Sequence, residues 1–269
     1  MTRIHDFKKT VWNYYRTHRR DFPWRNTKNP YRILVSEIML QQTQVSRVHD
    51  FYKNFLTSFP TISVLAQAPI AHVLRSWQGL GYNRRAIMLK RSAEIIMRDF
   101  SGTIPRFREK LESLPGIGPA TAGAILAYSF GIGVPFIETN IRRTFIHAFF
   151  KGQRLVSDTV ILSLVEKTLR GENPRDWYYA LMDYGSFLGK TVPNPNRRSK
   201  SYHLQASFKG SKRELRGKLL RVLLSHQSLP ISKLANLLDI EHKALTHITA
   251  ELVNEGFLRR HGRYFVISG

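Results

Sequence analysis

Leu114-Pro115-Gly116-Ile117-Gly118-Pro119-Ala120-Thr121-Ala122-Gly123 reads as a glycine turn between two helices. The helix before the turn is predicted over 106–113, and Pro115 ends it because proline has no N–H to continue the ladder. Gly116 and Gly118 can take backbone angles closed to other residues. The small residues Ala120, Ala122, Gly123 and Ala124 open a second helix, whose first N–H groups and positive dipole end suit an anionic oxygen such as that of a phosphate. An ordinary packing corner between two helices is the alternative that this segment alone leaves open.

Upstream, Ser36-Glu37-Ile38-Met39-Leu40-Gln41-Gln42-Thr43-Gln44-Val45 places one acid inside an apolar run that begins at Ile33-Leu34-Val35. On a helix the near neighbours of Glu37 are Ile33, Leu34, Leu40 and Gln41, so its carboxyl is expected in a partly dry setting. Desolvation disfavours the charged form and should raise its pKa toward working pH, as a proton donor needs. The other reading is a surface glutamate paired with Arg32 or Arg47. A second carboxylate, Glu138, follows the glycine turn.

Further segments fall in order around these two: Pro23-Trp24-Arg25, Pro30-Tyr31, Trp77-Gln78-Gly79-Leu80-Gly81-Tyr82, Asn140-Ile141-Arg142-Arg143 and Met182-Asp183-Tyr184-Gly185. Together, from about Phe22 to Gly189, they resemble the helix-hairpin-helix superfamily of base-excision DNA glycosylases, and most closely its A/G-specific adenine glycosylase branch, MutY. The resemblance implies a mainly α, two-lobed fold with the hairpin and Glu138 at the rim of a cleft. It implies a monofunctional glycosylase that flips a mispaired adenine, opposite 8-oxoguanine or guanine, out of double-stranded DNA and hydrolyses its N-glycosidic bond. Removal of thymine or uracil opposite guanine, and non-catalytic binding of mismatched DNA, stay open as alternatives.

Carried over residue by residue, the resemblance makes Glu37 the donor to the leaving base and Glu138 the carboxylate that stabilises, or transiently bonds, the sugar cation. Tyr128 would line the pocket, and Asn140 would orient Glu138 or cap the next helix. Gln42 would wedge into the base stack with Gln41 near it, and Tyr82 would push beside the opposite base. Gly116, Gly118, Thr121, Arg84, Arg85, Arg142 and Arg143 are the remaining candidate DNA contacts. The family usually has Asp followed by Gly and Asn where this chain has Glu138-Thr139-Asn140. One extra methylene moves a carboxylate by roughly 1.5 Å unless the backbone compensates. A compensated enzyme, a slow or differently selective one, and a lesion binder are therefore all open. Relatives that also cut the strand carry lysine where this chain has Ala120, so no lyase activity is expected.

The chain has 269 residues with 42 Lys plus Arg against 19 Asp plus Glu, a formal charge of +23. Such an excess favours a polyanion, and charge alone does not separate an enzyme from a binder. No apolar run reaches the eighteen or so residues of a membrane span, and the first residues lack a signal-peptide core. The expectation is a cytoplasmic, nucleoid-associated prokaryotic monomer with no membrane partner. With no cysteine, disulfides and thiolate-ligated metals are excluded. The four-cysteine iron–sulfur loop common in the family falls on Gly189, Asn196, Ser199 and about Gln205, so a clusterless member with no cofactor and no metal is expected.

Helical periodicity is predicted over most of the chain, including 30–43, 83–100, 120–130, 140–149 and 174–187. A composition shift then marks a basic linker at 193–211, dividing a glycosylase domain, 1–192, from a small module, 212–269. In that module three helices (212–225, 231–238, 241–255) precede a hairpin at 257–266, the order of a winged helix. From residue 190 onward the balance is 15 Lys plus Arg to 5 Asp plus Glu, which suits DNA, although winged helices also dock proteins. Ser225-His226 is similar to a serine–histidine loop that reads 8-oxoguanine in the C-terminal domain of adenine glycosylases, and a helix end explains it equally.

Overall fold

The computed structural model describes residues 2–204 and 207–269. In chain order its helices are α1 (Thr2–His18), α2 (Pro30–Leu40), α3 (Val45–Ser58), α4 (Ile62–Gln67), α5 (Ile70–Trp77), α6 (Arg84–Asp99), α7 (Arg108–Glu112), α8 (Pro119–Phe130), α9 (Thr139–Phe149), α10 (Asp158–Leu169), α11 (Pro174–Thr191), α12 (Lys212–Ser225), α13 (Ile231–Leu238) and α14 (His242–Asn254). Three short strands, β1 (Leu229–Pro230), β2 (Leu258–His261) and β3 (Tyr264–Ile267), form an antiparallel sheet of order β1-β3-β2. Two compact units emerge: Met1–Glu37 with Ile104–Leu204, and Ile38–Thr103 with Gln205–Gly269.

In the first unit α11 packs against α9, α1 and α8. Phe7, Phe145 and Trp177 interlock at 5.1 and 6.1 Å between ring centroids, and each such buried ring contributes about 2 kcal/mol of apolar burial. Close approach of α11 to α9 needs Gly185, because a Cβ there would stand 2.2 Å from the Asn140 carbonyl oxygen. Gly123 of α8 serves the loop that follows in the same way, since a Cβ would meet the buried Phe136 at 2.6 Å. The Tyr178 hydroxyl fixes that loop by donating to the Val134 carbonyl at 2.6 Å.

α7 is shorter than predicted, because Phe107 is extended and Ser113 already caps the helix. α2 stops at Leu40, three residues before the predicted end, and Gln42 turns left-handed with φ 53°.

The second unit centres on Phe55, Phe59 and Trp77, with ring centroids 4.7 and 5.7 Å apart. Within it, Arg91 of α6 donates to the Glu255 carbonyl beyond α14 at 2.9 Å. β2 and β3 pair as the predicted hairpin, with Gly262 in the turn at φ 59°. β1, two residues long, pairs Leu229 with Phe265 and has no sequence signature of its own.

Candidate active site

Glu138 is the N-cap of α9. Its Oε1 accepts from the Asn140 and Ile141 backbone N–H groups at 2.7 Å each, and its Oε2 accepts from Asn140 Nδ2 at 3.2 Å. These are the two amides a cap residue ordinarily satisfies, and the helix dipole favours an anion there. The extra methylene is thus taken up by the side chain folding back onto its own helix. The structure places Asn140 as the clamp on this carboxylate, and Arg143 Nη1 in turn holds Asn140 Oδ1 at 2.9 Å. Burial raises the Glu138 pKa, against the two amide hydrogen bonds and the charges of Arg143 and Arg142, which lower it.

Glu37 lies on α2 among Ile33, Leu34 and Val35, all fully buried. It keeps some solvent exposure although protein surrounds it densely. Burial, and secondarily the charge of Glu138, push its pKa up from 4.5 to about 8, while Arg25 lowers it. The two carboxyls therefore feel each other. No ion pair joins Glu37 to Arg32 or Arg47 among the described residues, so the surface-pair reading is not what the structure contains.

Behind the two acids stands a layer in which Arg25 and Asp183, present in the sequence only as members of ordered motifs, gain a role. Tyr128, fully buried, stacks on Tyr179 at 4.3 Å and approaches Met182 Sδ with its hydroxyl at 3.0 Å. Its pKa lies well above 10, through burial first and then the charge of Glu37. The Arg25 guanidinium sits 4.4 Å over the Tyr179 ring and forms a two-pronged pair with buried Asp183, both bonds 2.8 Å. Arg20 completes it, Nε to Asp183 Oδ1 at 2.5 Å. A fully buried Asp needs such partners, because an unpaired buried charge is costly.

The hairpin departs from expectation at one glycine. Gly116 is left-handed at φ 80°, whereas Gly118 is extended at φ −95° and caps α8. Gly118 and Pro119 form an exposed rim, while Thr121 is buried within the first turn of α8. Arg142 is bound two-pronged to Asp158 at 2.9 and 2.8 Å, and Arg143 also donates to the Gly185 carbonyl at 2.8 Å. Neither is the free phosphate-seeking arginine the sequence suggested.

In the second unit, two turns meet on Arg85. This buried guanidinium donates to the carbonyls of Ile38, Met39, Gln41 and Gly81 at 2.5 to 3.1 Å, and to Thr43 Oγ1 at 2.9 Å. Burial lowers its pKa to about 10. Arg85 is therefore a brace rather than a phosphate contact, and exposed Arg84 is the candidate that keeps that role. The brace ties the turn of Gln41 and Gln42 to that of Tyr82. Gln42 and Tyr82 both carry left-handed backbone, φ 53° and 49°, a conformation costing about 1 kcal/mol outside glycine. From α12, Arg213 donates to the Tyr82 hydroxyl and lies 5.1 Å over its ring. No sequence pattern announces that pairing.

Ser225 and His226 are explained by the end of α12, where Ser225 Oγ donates to the Arg221 carbonyl and the His226 ring meets the Val222 carbonyl. The residues at the iron–sulfur positions do not fit a cluster. The space beside Gly189 is filled by the Arg143 guanidinium, 2.5 Å from where a Cβ would stand, and Asn196 Nδ2 donates to the Thr139 carbonyl at 3.0 Å. Ser199 pairs with Val156 in an isolated bridge, and Gln205 lies outside the described residues. Among the described residues no cluster of His, Asp or Glu could hold a metal, and no helix is long and apolar enough to cross a membrane.

Comparison with known proteins agrees with this geometry. Residues 35–172 match the HhH-GPD superfamily base excision DNA repair protein family. The chain is 35% identical over 222 residues to the adenine DNA glycosylase of Mycolicibacterium smegmatis, covering 76% of each. It is 31% identical over 186 residues to the thymine/uracil-DNA glycosylase of Methanothermobacter thermautotrophicus, covering 68% of this chain and 84% of that protein. A solved thermostable thymine-DNA glycosylase superposes with a TM-score of 0.64 at 27% identity, over 74% of this chain and 91% of that one. The chain spans only about half the length of other adenine DNA glycosylases it matches, such as that of Buchnera aphidicola subsp. Baizongia pistaciae, 52%. Its helical architecture, hairpin and ordered motifs place it plainly: the chain belongs to the HhH-GPD superfamily of base excision DNA repair proteins.

Proposed function

We propose that the protein removes mispaired adenine from duplex DNA, opposite 8-oxoguanine or guanine, and leaves an abasic site. The observation that carries this reading is the setting of Glu37 on α2, where burial and the charge of Glu138 push its pKa up to about 8 and so favour the protonated acid at neutral pH. Adenine is a poor leaving group unless a ring nitrogen takes a proton as the bond to the sugar breaks, and its ring nitrogens are open acceptors. Thymine and uracil leave as anions and present carbonyl oxygens instead, so a carboxylic acid held protonated serves a purine better.

Base release then runs in three steps. The nucleoside is rotated out of the stack, most cheaply at a mismatch, and the Gly116–Gly118 hairpin holds the backbone. Glu37 gives its proton to the base while the electron pair of the C–N bond passes to the base, and the Glu138 carboxylate faces the sugar cation. Water adds to the anomeric carbon and loses a proton. Ala120 offers no amine for a Schiff base, so strand cleavage does not follow. The proposal treats 1–192 as the glycosylase domain, 193–211 as a linker and 212–269 as a further module, which falls in one compact unit with 38–103.

Thymine or uracil removal opposite guanine is the second reading, favoured by the thymine/uracil relative that the chain matches over 84% of its length. A single-turnover assay on A:8-oxoguanine, A:G, T:G and U:G duplexes, developed with alkali, separates them. Adenine release with alkali-dependent breaks and no borohydride-trapped adduct is expected. Release from T:G or U:G alone would establish the second reading, and tight binding without release would make the protein a lesion binder.

A further inference from the structure

Residues 212–269 hold ten Lys plus Arg and five Asp plus Glu, and the structure sorts them unevenly. Three of the acids are neutralised on one flank: Glu214 by Lys218 at 3.0 Å, Glu251 by Lys212 at 2.5 Å, and Glu255 by Arg216 at 2.7 Å. The other two, Asp239 and Glu241, lie together in the turn between α13 and α14. The β2–β3 hairpin therefore carries no acid, with Arg259, Arg260 and Arg263 exposed beside His261 and Arg263 5.4 Å over the Tyr264 ring.

α14 presents a second exposed face beside this charge pattern. Leu245, Ile248 and Leu252 are buried, while Lys243, Thr246, His247 and Ala250 face solvent. His247 is tied to Glu251 at 3.3 Å. That face is small or hydrogen-bonding throughout and carries no large apolar side chain, so it lacks the anchors of a protein-docking groove. It does have the profile that enters a major groove, where Thr and Ala allow close approach and Lys reaches a phosphate or base edge.

We infer that 212–269 is a second duplex-binding site, of winged-helix type, with the exposed face of α14 in the major groove and the β2–β3 hairpin on the flanking phosphates. Its occupant is undamaged double-stranded DNA next to the lesion, recognised by charge and groove shape. The inference stands apart from the reading of Glu37 and Glu138, because it concerns binding to DNA with no base to remove.

The test uses the full chain and a short undamaged duplex, with affinity measured across a salt series. The triple variant Lys243→Gln, Arg260→Gln, Arg263→Gln should bind at least tenfold more weakly at low salt, and its log–log salt slope should be shallower by about 2 to 3, roughly 0.9 for each phosphate no longer neutralised. Ala250→Glu, a charge placed on the groove face of α14, should weaken binding by a similar factor. Thermal melting matching the wild type certifies the fold of both variants. If the triple variant weakens and Ala250→Glu does not, the helix placement is overturned; wild-type slope and affinity in both variants overturn the site.

Discussion

Burial pushes the pKa of Glu37 and of Glu138 upward, but their partners differ. Glu138 has three N–H donors on its oxygens, which favour its charged form against burial, while on Glu37 burial and the charge of Glu138 both favour the proton. In the proposed reaction this split makes Glu37 the acid and Glu138 the anion. Release of adenine should therefore be level near neutral pH and fall about tenfold per unit above about 8 in single-turnover kinetics, as Glu37 ionises. Glu37→Gln should cut release by about 100-fold or more, with mismatch binding retained. Because the folded state binds this proton more tightly than the unfolded chain, wild-type stability declines from pH 4.5 to about 8 relative to Glu37→Gln. The melting-temperature gap between the two proteins should widen over that window. At position 138, Asp can still cap α9, so Glu138→Asp should keep or raise the rate, while Glu138→Ala should lose the reaction and about 1 kcal/mol of helix capping. A Glu138→Ala protein with a normal rate refutes the assignment.

Elements reach the site through close approaches that only glycine permits. Gly185 lets α11 touch the backbone of Asn140, the residue that clamps Glu138. In Gly185→Ala the new methyl would meet a carbonyl oxygen that cannot swing aside, so the start of α9 must move. A displacement of about 1 Å at reacting groups costs on the order of 100-fold, and base release should fall by that factor while DNA binding changes little. The hairpin supplies the contrast. Gly116 is left-handed, so Gly116→Ala should lower stability by about 1 kcal/mol, whereas Gly118→Ala, extended and with open space around it, should melt like the wild type. Equal losses for both would show that the turn is set by something other than backbone angle.

Over the whole molecule the formal charge of +23 should dominate encounter with DNA, whereas the proposed chemistry rests on Glu37 and Glu138, which protein surrounds densely and salt screens little. Raising salt from about 50 to about 200 mM should weaken duplex binding by roughly 1,000-fold or more. The single-turnover rate at saturating protein should stay level. A rate that tracks salt as steeply as affinity would place exposed charge in the catalytic step.

Several features of this protein were legible in the chain itself, because they are written in neighbours. The glycine turn, the acid in its apolar helix, the missing thiols, and the three helices and hairpin after 211 all depend on periodicity, capping and turn chemistry within a few residues. Helix ends at 40 and 108 shifted because local backbone angles, not apolar spacing, stop a helix. Other features join residues far apart in the chain. The Asp183 carboxylate between Arg20 and Arg25, Arg85 bracing two turns, Arg142 committed to Asp158, and Glu37 feeling the charge of Glu138 were decided by tertiary packing. A guanidinium looks the same in any sequence. Whether it meets a phosphate, a carbonyl or a buried carboxylate depends on which distant backbone the fold brings beside it and on the cost of leaving a buried charge unpaired.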